Sequence, residues 1–160
     1  MSKLELKIPP PLVAAITAGA MWAAAQWVGL NGLDGLFAGV PPGWRIAAAL
    51  VIALIGLGFD LTGVLGFIRA RTTVNPLKPE RSAALVTSGI YRMTRNPMYV
   101  GMALILLAWA IYLGSSTALL GPLVFALYIT RFQIQPEERV LALRFGSEFA
   151  GYCARVRRWL

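Results

Sequence analysis

The chain has 160 residues, of which 58% are hydrophobic and 14% are charged, and its formal net charge is +8. Soluble domains are about 45–50% apolar and about 25% charged, so a soluble fold of this length cannot bury so much apolar surface. The absence of histidine and the single cysteine, Cys153, exclude a His–Cys zinc cluster, a Ser–His–Asp triad and an internal disulfide. The composition predicts an all-α integral membrane protein without a metal site.

Four hydrophobic runs are close to the length of about 20 residues that a membrane helix needs. Lys3 and Lys7 precede the first run as in a signal peptide, but this run is too long for a signal peptide and more runs follow it. Small residues in the second run, among them Gly56 and Gly63, predict close helix packing. We therefore predict one membrane domain over 1–160, with spans at about 11–30, 44–68, 97–113 and 117–134, a loop at 69–96 and a tail at 135–160.

The basic residues predict the orientation of these spans. Of the 15 lysines and arginines, 14 lie before the first span, between the second and third, or at or after the end of the fourth, and only Arg45 lies at the opposite side. Basic residues that flank membrane spans indicate a membrane protein rather than a nucleic-acid-binding one, and they mark the cytoplasmic side. We expect both termini, the loop 69–96 and the tail 135–160 to be cytoplasmic. The basic cluster at 155–158 predicts an interfacial helix on anionic lipid.

The start of the third span is the first candidate site. Asn96 is a good N-cap residue, and Pro97 is favoured at the first position of a helix. A helix start beside Arg92 and Arg95 can bind a carboxylate or a phosphate. An equally good interpretation is a well-capped membrane helix whose arginines extend toward the interface.

Two adjacent acids form the second candidate site, just after the fourth span. Glu137 and Glu138 follow Pro136, so they are consistent with ordinary acids in the first turn of a helix. They are also suited to bind a cation or sugar hydroxyls. The short turn at 114–116 makes spans three and four a hairpin, which brings the two candidate sites together.

An ordered set of motifs between residues 87 and 159 resembles a known superfamily. The motifs are Arg-Asn-Pro-Met-Tyr-Val-Gly at 95–101, the helical hairpin, Pro-Glu-Glu-Arg at 136–139, Phe-Gly at 145–146 and the late Tyr152. In this combination they resemble the isoprenylcysteine carboxyl methyltransferase and phospholipid methyltransferase superfamily, in a bacterial type of member. Members typically have Arg-His-Pro where this chain has Asn96, and asparagine cannot titrate.

The resemblance implies a membrane-integral methyltransferase that uses S-adenosyl-L-methionine and methylates a lipophilic acceptor from the bilayer. It implies a cofactor pocket at the cytoplasmic end of the hairpin of spans three and four, and location in a bacterial inner membrane. The implied cofactor-binding residues are Tyr91, Arg92, Arg95, Asn96, Pro97, Tyr99, Gly101, Glu137 and Glu138. The implied catalytic residues are Glu138 and Arg144.

Several alternatives stay open at the level of the sequence. Arg144 could steer a carboxylate or phosphate of the acceptor, or it could be an interfacial arginine. Asp60 lies within the second span, where the sequence favours a structural pair with Arg69 or Arg95 over a catalytic role. The whole protein could instead be a nicotinamide-dependent reductase of the sterol reductase type, or a non-catalytic scaffold or sensor. The acceptor group could be a carboxylate, an amine or a thiol.

Overall fold

The computed structural model describes residues 5–30, 35–37, 39–71 and 84–160, and this part of the chain is helical without any strand. The all-α prediction is therefore confirmed for the described residues, whereas residues 72–83 of the predicted loop 69–96 lie outside them. The helices are α1 (Pro10–Leu30), α2 (Pro42–Arg69), α3 (Pro97–Leu113), α4 (Leu120–Ile129) and α5 (Gln135–Arg155). Short 3-10 helices lie at Gly89–Arg92 and Thr117–Leu119, and a π-helical turn lies at Thr130–Ile134.

Among the described residues, two helices are long and apolar enough to cross a membrane. They are α2 and the continuous helical stretch Thr117–Arg155, and α3 is a shorter apolar helix. The outer face of α2 exposes large hydrophobic side chains, such as Leu54 and Leu61. An apolar face of this kind is unfavourable in water and is normally covered by lipid or by a partner.

Helix α3 lies at the centre of the bundle and contacts α1, α2 and α4. The main hydrophobic core forms where α1, α3 and α4 meet, with Phe125, Ile129 and Ile134 among its fully buried side chains. Its other buried members are Val13, Met21, Tyr99, Leu106, Ala110 and Ala118. A second, smaller cluster joins Val86, Tyr91, Phe149, Tyr152 and Val156.

Glycines let α2 and α3 approach each other closely. A Cβ atom on Gly56 would lie 2.8 Å from the carbonyl oxygen of Gly101, and one on Gly101 would lie 2.6 Å from the carbonyl oxygen of Gly56. Farther along α2, a Cβ atom on Gly63 would lie 2.8 Å from Cγ of Met98. The predicted close packing of the second span is thus confirmed, and it fixes the start of α3 against α2.

The helix that contains the fourth predicted span does not end at residue 134. The helix continues through the π-helical turn into α5, and Gly146 alone interrupts it with φ 49° and ψ −120°. Helix α5 ends at Arg155, and Val156 is extended. The predicted interfacial helix at 155–158 is therefore wrong, because the chain turns back toward the start of α3 at this point.

We expect Gly56→Ala to lower the stability of the protein by about 1–3 kcal/mol, because the added methyl group collides with the backbone of α3 rather than with a flexible side chain. Thermal unfolding in detergent measures this loss. Gly58→Ala on the same helix is the matched control, since a Cβ atom there meets nothing within 4 Å. Equal midpoints for the two variants would contradict the close contact of α2 with α3.

Candidate functional site

The carboxylate of Glu138, in the first turn of α5, is held between two arginines from distant parts of the chain. Its Oε1 atom lies 2.7 Å from Nη2 of Arg95, just before α3. Arg158 binds the same carboxylate with two nitrogens, Nη2 at 2.6 Å from Oε2 and Nε at 3.1 Å from Oε1. The ion pairs join the start of α3, the start of α5 and the C-terminal segment, defined here as residues 156–160.

Arg95 also binds the backbone near the end of α5. Its Nη1 atom donates to the carbonyl oxygens of Val156 at 2.7 Å and Cys153 at 3.3 Å, and its backbone N–H donates to the carbonyl oxygen of Arg157 at 2.9 Å. The Nε atom of Arg95 is buried and has no hydrogen-bond partner among the described residues. Two of these three hydrogen bonds, those to Val156 and Arg157, hold the C-terminal segment.

Thr94 and Asn96 continue this attachment. Both side chains donate to the carbonyl oxygen of Arg158, Thr94 from Oγ1 at 3.1 Å and Asn96 from Nδ2 at 2.9 Å. Asn96 occupies the N-cap position of α3, but its side chain makes no capping hydrogen bond. The sequence interpretation of Asn96 as a side-chain cap is thus wrong, because the side chain hydrogen-bonds to the C-terminal segment through its Nδ2 atom instead.

Glu137 takes part in a separate hydrogen-bond group. Its Oε1 atom accepts a hydrogen bond from the Tyr99 hydroxyl at 2.7 Å and one from Nε2 of Gln133 at 2.6 Å. Tyr99 lies in the first turn of α3, and Gln133 is a buried residue of the π-helical turn. No described residue donates to the Oε2 atom of Glu137, so this oxygen can accept a hydrogen bond from a ligand.

The two adjacent acids have opposite pKa shifts. Burial raises the pKa of Glu137 to about 7, although the hydrogen bonds from Gln133 and Tyr99 oppose this shift. Burial also acts to raise the pKa of Glu138, but the hydrogen bonds and positive charges of Arg158 and Arg95 outweigh it and lower that pKa. Glu138 is therefore an ionised anchor, whereas Glu137 titrates near neutral pH.

Tyr91 and Gly101 contribute to the packing around the site. The buried Tyr91 donates from its hydroxyl to the carbonyl oxygen of Gly63 at 3.3 Å, and its own carbonyl oxygen accepts from the Tyr152 hydroxyl at 2.7 Å. Burial raises the pKa of both Tyr91 and Tyr152 far above the ordinary tyrosine value. Gly101 packs against Asp60 of α2, where any larger residue would collide with the carboxylate.

The predicted pair of Asp60 with Arg69 or Arg95 is wrong. Arg95 pairs with Glu138 instead, and no ion pair of Asp60 occurs among the described residues. The Oδ1 atom of Asp60 is buried without a hydrogen-bond partner in this part of the chain.

The remaining predicted site residues differ in their surroundings. Pro97 is buried at the first position of α3, where α2 covers it. Arg92 is exposed at the end of the 3-10 helix. Arg144 is also exposed, with its guanidinium carbon 5.9 Å from the ring centre of Phe145. The roles given to these three residues stay predictions.

Two residues of the site were missed by the sequence reasoning. Arg158 was assigned to a lipid-binding cluster, and nothing in the sequence shows that the chain turns back after Arg155. Gln133 lies four residues before Glu137, a spacing at which helical side chains meet, and this spacing could have identified it. Together the two clusters provide a titratable carboxylate, a phenol and an amide at the start of α3, beside a fixed ion-pair network.

Comparisons with known proteins show the family of the chain. The family model described as phospholipid methyltransferase matches residues 44–148. A protein-S-isoprenylcysteine O-methyltransferase B from Arabidopsis thaliana is 29% identical over 127 residues, which are 75% of this chain and 61% of the relative. A probable protein-S-isoprenylcysteine O-methyltransferase from Oryza sativa subsp. indica is 32% identical over 124 residues, 73% of this chain and 62% of the relative.

A further relative is bacterial. An uncharacterized protein from Haemophilus influenzae is 51% identical over 63 residues, which are 39% of this chain and the whole of that protein. The chain thus spans about three fifths of the length of the plant relatives. No solved structure is significantly similar to it. The match of the family model over most of the chain confirms the resemblance in the motifs, and the chain belongs to the phospholipid methyltransferase family.

Proposed function

We propose that the protein is a membrane-integral methyltransferase that transfers a methyl group from S-adenosyl-L-methionine to a lipid-like acceptor. Family membership supports the reaction type, and the names of the plant relatives support an acceptor attached to an isoprenoid or similar chain. One observation carries the proposal. Tyr99 and Gln133 both donate hydrogen bonds to Glu137. The neighbouring residue, Glu138, forms ion pairs with Arg95 and Arg158. The acceptor group is a carboxylate, an amine or a thiol.

We infer a topology of four spans, with both termini and the site on the cytoplasmic side. The helices α1, α2 and α3 and the apolar part of the stretch Thr117–Arg155 supply these spans. The distribution of 14 of 15 basic residues on one side supports this orientation. The similarity to a protein of Haemophilus influenzae supports a bacterial cytoplasmic membrane.

The residues of the site fit S-adenosylmethionine. This molecule carries an amino acid end, ribose hydroxyls, an adenine and a positively charged sulfonium. The Oε2 atom of Glu137 can accept from a ribose hydroxyl or an ammonium group, and the buried Nε atom of Arg95 is a donor without a partner among the described residues. Both atoms belong to residues at the junction of α3 and α5.

When bound, the cofactor supplies an electrophilic methyl group, and direct displacement requires that the acceptor atom be aligned with it. Alignment of two bound groups supplies much of the rate in such reactions. In this chain the Arg95–Glu138–Arg158 network fixes the junction rigidly, while Tyr99 and Gln133 orient the Glu137 carboxylate. The lipid-like acceptor reaches the junction from the bilayer, beside the apolar helices.

Calorimetry on the detergent-purified protein tests the proposal with S-adenosylmethionine and S-adenosylhomocysteine, and NADPH serves as the control ligand. We expect saturable binding of both sulfur compounds and none of NADPH. Binding of NADPH alone would favour a reductase, and a folded protein that binds none of the three would favour a scaffold.

Glu138→Gln is expected to weaken S-adenosylhomocysteine binding at least about tenfold. It removes the charge that holds two arginines, so the C-terminal segment loses its attachment to the start of α3. The matched control is Glu148→Gln, an exposed residue of the same helix. Equal affinities of the two variants, measured by calorimetry, would remove Glu138 from the site.

The pH dependence of binding tests the role of Glu137. A hydrogen-bond donor or positive charge on the ligand favours the ionised carboxylate, so affinity should rise with pH through about 7 and level off above it. We expect S-adenosylhomocysteine to bind up to about tenfold more tightly at pH 8 than at pH 6.

Glu137→Gln should abolish this difference, because the amide does not titrate. The ligand's own titration affects binding to the wild type and to Glu137→Gln equally, so comparing the two proteins corrects for it. An unchanged pH profile in Glu137→Gln would show that Glu137 does not contact the ligand.

A further inference from the structure

An acidic residue before α1 is buried against the π-helical turn. The side chain of Glu5 is 4% exposed, and its two oxygens pair with Nη1 of Arg131 at 3.0 Å and Nη2 of Arg139 at 2.6 Å. The side chains of both arginines are 51% exposed. A carboxylate this deeply buried needs such partners, whereas the arginines retain access to water. The contact therefore fixes the segment that carries Glu5 more than it fixes the arginines.

The neighbouring residue adds a backbone contact at the same place. The N–H group of Leu6 donates to the carbonyl oxygen of Phe132 at 3.1 Å. Phe132 lies in the π-helical turn, with Arg131 before it, while Arg139 lies in α5. Residues 5 and 6 thus contact the π-helical turn, and Glu5 links this turn to α5 through Arg139.

A π-helical turn needs stabilisation from outside, because it is rarer and less favourable than the α-helix on either side of it. This turn carries Gln133, whose amide donates to Glu137, and Glu137 also binds Tyr99. Relaxation of the turn into α-helical geometry would rotate α5 about its axis relative to α4, and this rotation would move Glu137 away from Tyr99 of α3.

We propose that Glu5 is a positioning residue of the methyltransferase site, which holds the turn Thr130–Ile134 in its π-helical form so that Gln133 and Glu137 stay in contact with Tyr99. The effect on cofactor binding depends on the proposed function, whereas the effect on the turn does not. Residues 5 and 6 therefore help to position the site at the junction of α3 and α5.

The first test needs no cofactor. Hydrogen–deuterium exchange of the purified protein is compared between wild type and Glu5→Gln, which keeps the size of the side chain and removes its charge. We expect exchange of the amides at 130–138 to accelerate about tenfold or more, while that of α3 stays unchanged. Unchanged exchange at 130–138 would overturn the proposal.

The second test is the pH profile of S-adenosylhomocysteine binding. The hydrogen bond from Tyr99 lowers the pKa of Glu137, so its loss in Glu5→Gln should move the midpoint of the profile to higher pH. The groups that face Glu137 are Gln133, Tyr99, Tyr91 and Glu138, with Arg95 and Arg158 bound to Glu138. A midpoint that stays in place, despite weaker binding, would overturn the proposal in favour of a general loss of stability.

Two further variants keep the outcomes distinguishable. Glu148→Gln, exposed on α5, is the charge-removal control and should change neither readout. If Glu5→Gln fails to fold, Arg139→Gln replaces it, since this variant leaves Glu5 paired with Arg131 and should give a smaller effect of the same kind. If Glu5→Gln shows faster exchange but neither this variant nor the wild type binds the cofactor, the proposed function is refuted. The role of Glu5 in the turn then stands.

Discussion

The site depends on one partly buried carboxylate and two arginines. Glu138 binds Arg95 and Arg158 at the same time, so the residues before α3, the first turn of α5 and the C-terminal segment form one unit. A partly buried carboxylate is stable only when such partners offset the loss of water. Because Thr94, Arg95 and Asn96 also donate to backbone carbonyls at 153–158, the position of the C-terminal segment is determined by several bonds at once.

The close contact of α2 with α3 stabilises this unit. Gly56 and Gly101 bring the two backbones together, and Gly63 leaves room for Met98 at the start of α3. The contact of α2 with α3 thus fixes the position of the Tyr99 hydroxyl, which donates a hydrogen bond to Glu137. Lipid-facing helices gain little from hydrophobic burial against one another, so close packing of this kind must supply much of their association.

The chemistry of the junction rests on the difference between two neighbouring acids. Glu138 is surrounded by positive charge and stays ionised, which makes it a structural anchor. Glu137 is surrounded by neutral donors, and its pKa of about 7 allows its charge to respond to a ligand. Successive residues of a helix point in directions about 100° apart, so adjacent acids can face such different surroundings.

The sequence alone determined the helical class, the four hydrophobic segments and the family, because composition, run length and the motifs around Arg95 and Glu138 are local properties of the chain. It also identified Glu137 and Glu138 as a pair near the start of the third segment, since a short turn leaves few arrangements of a hairpin. Only the tertiary structure assigned different roles to these acids, since burial and partners decide a pKa. It also decided that Arg158, Gln133 and Glu5 belong to the junction, and that Asp60 has no ion pair among the described residues. These contacts join residues up to 134 positions apart, and nothing in a local pattern specifies them.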